Sequence, residues 1–300
     1  TAENDWFPVG RSDGNYTSGV ALAYSPDETT TYEIGQEIYT PQDLDDTERI
    51  PNDRPYAGQL WAGYARHCVT LCRGGGAIRQ QTGVRVGGVG ALSLASEIQK
   101  FAHNDLDLGD DPRGWRHQIE TEITVGVHHE RRHSFLGFGR GRWRGDAIGI
   151  FRADLGTDLT RARVGGLLRY GFNLPSAFGG GSPGTSAFGH DATASALHTP
   201  IGDPAAGMRR SRTRGSPLRA YVSLGADAYF TAYNIFIDNH LFRRGTGLSL
   251  EPLGYDLSAS VMLEWKSYRI GYRQVARSAE FEGGSSSAFG AVVVGWSIGG

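Results

Sequence analysis

The sequence predicts an all-β fold: an antiparallel transmembrane β-barrel of about twelve strands, with one short helix in an extracellular loop. Three observations carry that reading. Apolar and polar residues alternate with a period of two along many long segments, and no segment approaches the roughly 20 apolar residues of a membrane-spanning helix. The polar halves of those segments are rich in charge, so they need water, a lumen or a partner.

From Leu218 to Phe230 the alternation is nearly complete: Leu218, Ala220, Val222, Leu224, Ala226, Ala228 and Phe230 share one face. Tyr255 to Trp265 repeats it, and Ile119, Ile123, Val125 and Val127 do the same further upstream. A soluble sandwich would bury such faces against a second sheet, whereas a barrel turns them to lipid. The chain has 300 residues with 44 Gly, 13 Tyr and 13 Phe, which is long for one sandwich. Its mean hydropathy of -0.35 suits a soluble protein. Barrels give such averages too, because half of every strand is polar.

The strands expected in order are a stub at 1–7, then 16–25, 31–40, 55–70, 76–89 and 116–131. They continue at 143–156, 159–171, 217–231, 253–265, 267–277 and 288–298. The lumen then receives Arg161, Arg163 and Arg169 from one strand, Glu120 and Glu122 from another, and Arg269 and Arg273 from a third. Tyr24, Tyr32, Tyr56, Trp61, Tyr170, Phe230, Trp265, Tyr268 and Trp296 sit near strand ends, as interfacial girdles require. The whole chain, 1–300, reads as one barrel domain.

One helix is expected, beginning near Ser93, which can cap it, with Glu97 in its first turn. Leu94, Ile98 and Phe101 form an apolar stripe to bury, leaving Gln99 and His103 together on the opposite face. If the first strand runs outward, segments 8–15, 41–54, 90–115, 232–252 and 278–287 all emerge at one end. Short links near Pro26, Gly74 and Lys266 emerge at the other, matching long extracellular loops and short periplasmic turns. Residues 173–216, rich in Gly, Ser, Pro and Ala, break the pattern as a long and flexible periplasmic insertion.

Thr1 opens directly on polar sequence, as expected of a secreted barrel whose leader has been cleaved. The net charge of -2 carries no nucleic-acid signature, and no obligate protein partner is evident. Cys68 and Cys72 would lie about 13 Å apart in a continuous strand, so a bridge requires a turn at Arg73–Gly76; free thiols are the equal alternative.

The parity count brings Asn4, Asp5, Thr40, Arg54, Gln99 and His103 to one rim. Each is unremarkable alone, since strand ends, loop entries and surface histidines are usually structural. Together they offer an imidazole base, positioning amides and hydroxyls, and oxygen ligands for a hard cation such as calcium. A cation at an ester carbonyl stabilises the oxyanion of a tetrahedral intermediate, so the set suggests ester hydrolysis at a membrane surface.

The motifs resemble the outer-membrane lipid A 3′-O-deacylases. The resemblance rests on Glu3-Asn4-Asp5, Asn15-Tyr16-Thr17-Ser18-Gly19, Gly35-Gln36-Glu37-Ile38-Tyr39-Thr40-Pro41 and Asn52-Asp53-Arg54-Pro55-Tyr56-Ala57-Gly58. It continues through Glu97-Ile98-Gln99 with His103, Gly114-Trp115, Tyr170-Gly171-Phe172-Asn173-Leu174-Pro175, Ile235-Phe236-Ile237-Asp238-Asn239 with Phe242-Arg243, and Glu280-Phe281-Glu282-Gly283. These runs occur in family order from end to end.

The resemblance implies a twelve-stranded outer-membrane barrel whose active site lies at the extracellular rim, between the wall and a loop helix. It implies a substrate of lipid A or lipopolysaccharide among outer-membrane lipids, removal of the 3′-acyloxyacyl group, and a divalent cation, usually calcium. His103 is similar to the family's general base, Gln99 to its helical neighbour, Asn4 and Asp5 to its Asn-Asp pair, and Thr40 to its hydroxyl residue. Asp5 is the metal-ligand candidate or an orienter of His103. Arg54 is the substrate-binding candidate, with a loop salt bridge as its plain alternative. Two departures are the long 173–216 segment and the acidic run Asp43, Asp45, Asp46 and Glu48, which disfavours a phosphorylated substrate unless cations bridge it. The rival readings are an outer-membrane phospholipase, against which stands the lack of a His-x-Ser-Asn run, and a non-catalytic pore or adhesin.

Overall fold

The computed structural model describes residues 1–5, 16–27, 29–44, 46–72, 76–101, 112–175, 218–238 and 246–296. Twelve antiparallel strands follow one another around a closed barrel. They are β1 (Ala2–Asn4), β2 (Ser18–Tyr24), β3 (Thr30–Tyr39), β4 (Ala57–Leu71), β5 (Ala77–Val89) and β6 (Glu122–Arg140). The circuit continues with β7 (Trp143–Gly156), β8 (Leu159–Phe172), β9 (Leu218–Asn234), β10 (Leu253–Trp265), β11 (Tyr268–Arg277) and β12 (Ser287–Trp296). β1 pairs with both β2 and β12, so neither sheet edge is left open.

The alternation puts each face where the sequence placed it. On β9 the outward Val222, Leu224 and Phe230 are exposed, while Tyr221, Asp227 and Tyr229 are buried inside. The lumen is filled by paired charges. Arg163 and Arg277 share Asp256 at 2.8 and 3.0 Å, Arg152 meets Asp154 at 2.6 Å, and Arg85 meets Asp158 at 2.6 Å. Pairing is what makes so many buried ions tolerable. Towards the long-loop end the inside turns apolar, where Tyr16, Tyr39, Ile235, Phe236 and Phe289 pack together.

Four sequence expectations are corrected. β6 starts at Glu122 and runs to Arg140; Gly114–His117 is a 3-10 turn, and Ile119, though in phase, is buried beneath the mouth rather than turned to lipid. Glu120 precedes the strand and is exposed, so it is not a lumen residue. Tyr56 and Trp61 are buried and belong to no girdle, whereas Tyr24, Tyr32, Tyr170, Phe230, Trp265, Tyr268 and Trp296 do face outward. Trp61 fits inside because Gly35, its neighbour across β3 and β4, leaves room for the indole.

The helix is the fourth. A 3-10 turn at Gly90–Ser93 leads through Leu94, held left-handed at φ 55°, into α1 (Ala95–Lys100). Leu94 is the cap residue; the Ser93 hydroxyl supports the corner instead, accepting the Ala95 N–H at 3.3 Å and donating to the Gly90 carbonyl at 2.6 Å. The face that packs on the protein carries Ala95, Ser96 and Gln99, and Leu94, Ile98 and Phe101 are about half exposed. This inverts the expected orientation. Outside a lipid-facing wall the apolar stripe has hydrocarbon to face, so the small and polar side is the one that turns inward. Cys68 and Cys72 are both free thiols, Cys68 exposed. Most of the 173–216 segment, from 176 to 216, lies outside the described residues.

Candidate active site at the outer rim

Strand register builds a row of small and polar residues across the outside of the wall. Asn4 faces Gly290 on one side and Ser18 on the other, Ser18 faces Ile38, and Ile38 faces Gly58. These positions share the parity of the outward Val20, Leu22, Ile34 and Tyr32, so the row lies on the lipid side of the barrel. Near the loops, greasy wall gives way to Asn4, Ser18 and glycine.

The helix docks at the end of that row. A Cβ on Gly58 would collide with Ala95 and the Ser93 hydroxyl, so only glycine lets α1 sit this close to β4. The Gln36 amide, outward on β3, donates to the Ser93 carbonyl at 2.5 Å. Ala95 packs with Ile38, Tyr56 and Trp115, the last two rings 5.0 Å apart.

Gln99 is buried on the wall side of α1, and its Oε1 accepts the Trp115 indole N–H at 2.7 Å. That bond fixes which way the amide faces. It leaves Nε2 buried and without a partner among the described residues. At the other end of the row the Thr40 and Thr17 hydroxyls meet at 2.6 Å, while the Thr17 carbonyl accepts the Asp5 N–H at 3.2 Å. Thr17 is fixed in turn by its N–H to the Ile38 carbonyl at 3.1 Å.

Asn4, Thr40 and Gln99 thus line one strip of the outer wall, although they span almost a hundred residues of sequence, and Asp5 is tied to it through its backbone N–H to Thr17. His103, the proposed base, lies outside the described residues, as do Asn15, Asp45, Asn239, Phe242 and Arg243 from the motif runs and the acidic loop. Arg54 does not join the strip. Its side chain is 1% exposed inside the mouth, pairs with Glu280 at 3.0 Å and lies over the Tyr39 ring at 5.0 Å, so the loop salt bridge is the reading displayed. Glu280 also receives Arg161 at 3.1 Å, which ties the loop after β11 to the barrel interior.

Sequence reasoning missed Thr17, Gln36 and Trp115 as functional neighbours. All three stand inside the motif runs; what was hidden is that their partners come from other loops. The acidic loop is also less negative than its sequence suggests, because Glu48 pairs with Arg116 and lies 3.2 Å from His117. Among the described residues no three His, Cys, Asp or Glu side chains group as a metal cage.

Residues 1–298 match the family described as outer membrane protein LpxR. Among solved structures, LpxR from Salmonella typhimurium superposes with a TM-score of 0.78 at 15% identity, covering 99% of this chain and 98% of that one. No curated protein matches by sequence. At that identity the structural likeness shows the fold, and the family match covers the barrel from first strand to last. The chain belongs to the LpxR family of outer membrane proteins, the family its ordered motifs resemble, and is a β-barrel of the bacterial outer membrane.

Proposed function

We propose that the protein hydrolyses the 3′-acyloxyacyl ester of lipid A in the outer leaflet, with His103 as general base and a divalent cation, calcium by the resemblance, as cofactor. The observation that carries this reading is the placement of the polar strip on the lipid side of the wall, beside a helix whose exposed face is apolar. A lipid in the outer leaflet can reach such a strip laterally with its acyl chains still in hydrocarbon. A lumen site would require it to leave the bilayer.

His103 follows Gln99 by four residues in the sequence and takes a proton from the water that attacks the ester. Gln99, oriented by Trp115, has an N–H free to donate to that water or to the ester oxygen. Asn4, Asp5, Thr17 and Thr40 supply oxygens only, which suits a hard cation. One carboxylate among them is few, so water and substrate oxygens would complete roughly six to eight ligands. When bound, the cation would polarise the ester carbonyl and hold the oxyanion. Asp5 either ligates it or orients His103.

The test is hydrolysis of purified lipid A by the purified barrel in detergent, followed by mass spectrometry with calcium and with a chelator in excess. Release of the acyloxyacyl acid with calcium, and a fall of at least a hundredfold on chelation, is expected. Phospholipid cleavage with intact lipid A would favour the phospholipase reading instead.

A further inference from the structure

The lipid-facing wall is not apolar all the way round. On β10 to β12 the outward positions of the half nearer the short turns are apolar or aromatic, finishing on Trp265, Tyr268, Val294 and Trp296. On β4 to β6 the wall changes below Tyr64, whose ring lies 5.4 Å from that of Tyr32. Arg66 on β4, Thr82 and Gln80 on β5, and His129, Arg131 and His133 on β6 all carry the outward parity of Tyr64, Val84 and Val127. They form a contiguous patch. Arg66 faces Thr82, Thr82 faces His129 and Gln80 faces Arg131, with the Thr82 hydroxyl 2.8 Å from His129 Nδ1.

Among the described residues no carboxylate pairs with this patch. The outward neighbours of its basic residues across β3, β5 and β7 are hydroxyl, amide, apolar or glycine residues. It is also an island rather than the edge of the membrane band. Val127 is exposed above it on β6, Phe135, Leu136 and Phe138 are exposed beyond His133, and Phe151 is exposed across from Arg131. Exposed guanidinium groups surrounded by hydrocarbon-facing side chains are costly unless they reach an anion at headgroup depth. Arg66 stands two residues past Tyr64 and five short of Leu71, where β4 ends at a short turn, so the available headgroups are those of the inner leaflet.

We propose that this face of β4 to β6 binds the phosphate of an inner-leaflet anionic glycerophospholipid. Arg66 and Arg131 carry the charge, and Thr82, Gln80 and the two imidazoles complete the hydrogen bonds. The surface is continuous with the lipid-facing wall, which favours a lipid over a protein occupant, and paired guanidinium groups match phosphate in geometry as well as sign. This inference is independent of the catalytic reading.

The full chain in nanodiscs of phosphatidylcholine doped with phosphatidylglycerol, released into native mass spectrometry, tests it. Wild type should retain phosphatidylglycerol over phosphatidylcholine, and Arg66→Gln with Arg131→Gln should reduce that preference about tenfold or more. The Lys pair at the same positions should keep the part owed to charge and fall between wild type and the Gln pair, and an unchanged heat-modifiable gel shift checks that each variant is folded. Equal retention of the two lipids by wild type, or a preference undiminished in the Gln variant, overturns the proposal. So does an oxidative cross-link through the exposed Cys68, abolished by Cys68→Ser but not Cys72→Ser, because it would assign this face to a second copy of the chain.

Discussion

Trp115 is the residue on which the orientation of Gln99 depends. Trp115→Phe keeps a ring beside Tyr56 and Ala95 but removes the indole donor, so the Gln99 amide is free to turn. Deacylation should fall roughly ten- to a hundredfold in kcat while KM and folding change little, which single-turnover kinetics can separate. Unchanged rates would remove Gln99 from the mechanism. At the mouth, burial pushes the Glu280 carboxyl up, but Arg277, Arg54 and Arg161 together draw it down further, to below its ordinary value of 4.5. A carboxylate depressed by folding gives its full stabilisation above 4.5 and loses it as pH falls through the lower folded value. Glu280→Gln, which takes the carboxylate away from Arg54 and Arg161 while Arg277 keeps Asp256, should cost about 3 kcal/mol in urea unfolding near neutral pH, with the difference from wild type shrinking as pH drops below 4.5. Arg54 and Glu280 of this network were legible in the motif runs, and Arg161 in the strand alternation. Their pairing was not, because Arg54 and Glu280 are 226 residues apart in sequence.

At the scale of elements, the strands were legible because a period of two leaves a mark in every six or seven residues. β6 shows the limit of that signal. The phase of Ile123 runs back without a break to Ile119, across a backbone that is not strand, and at the other end a register shift between Ser134 and Leu136 erases the phase before the strand stops. The helix was found by its spacing and given the wrong face, because an amphipathic pattern says only that two faces differ. Which one meets protein depends on what lies outside. Gly58 tests the docking directly. Gly58→Val would force α1 off the wall without touching any proposed reacting group, and lipid A deacylation should fall at least tenfold with the folded barrel intact on unheated gels. Full activity would mean that the seat of α1 does not position the site.

The whole molecule separates two jobs by side. The lumen is packed with charge pairs and capped by aromatic residues, so it holds the cylinder rigid, while the outer surface carries the proposed chemistry and the proposed lipid contacts. The sidedness of the strip followed from strand parity alone, since every segment feeding it leaves the barrel at the long-loop end. Its position on the outer wall, rather than inside the mouth with Arg54, required the register of five strands. The central claim is that His103 acts from this strip on lipid A, and expression in a bacterium whose lipid A carries the 3′-acyloxyacyl group tests it most directly. Mass spectra of extracted lipid A should show that group lost with the wild-type chain and retained with His103→Ala at equal levels of folded barrel. Identical lipid A from the two would contradict it.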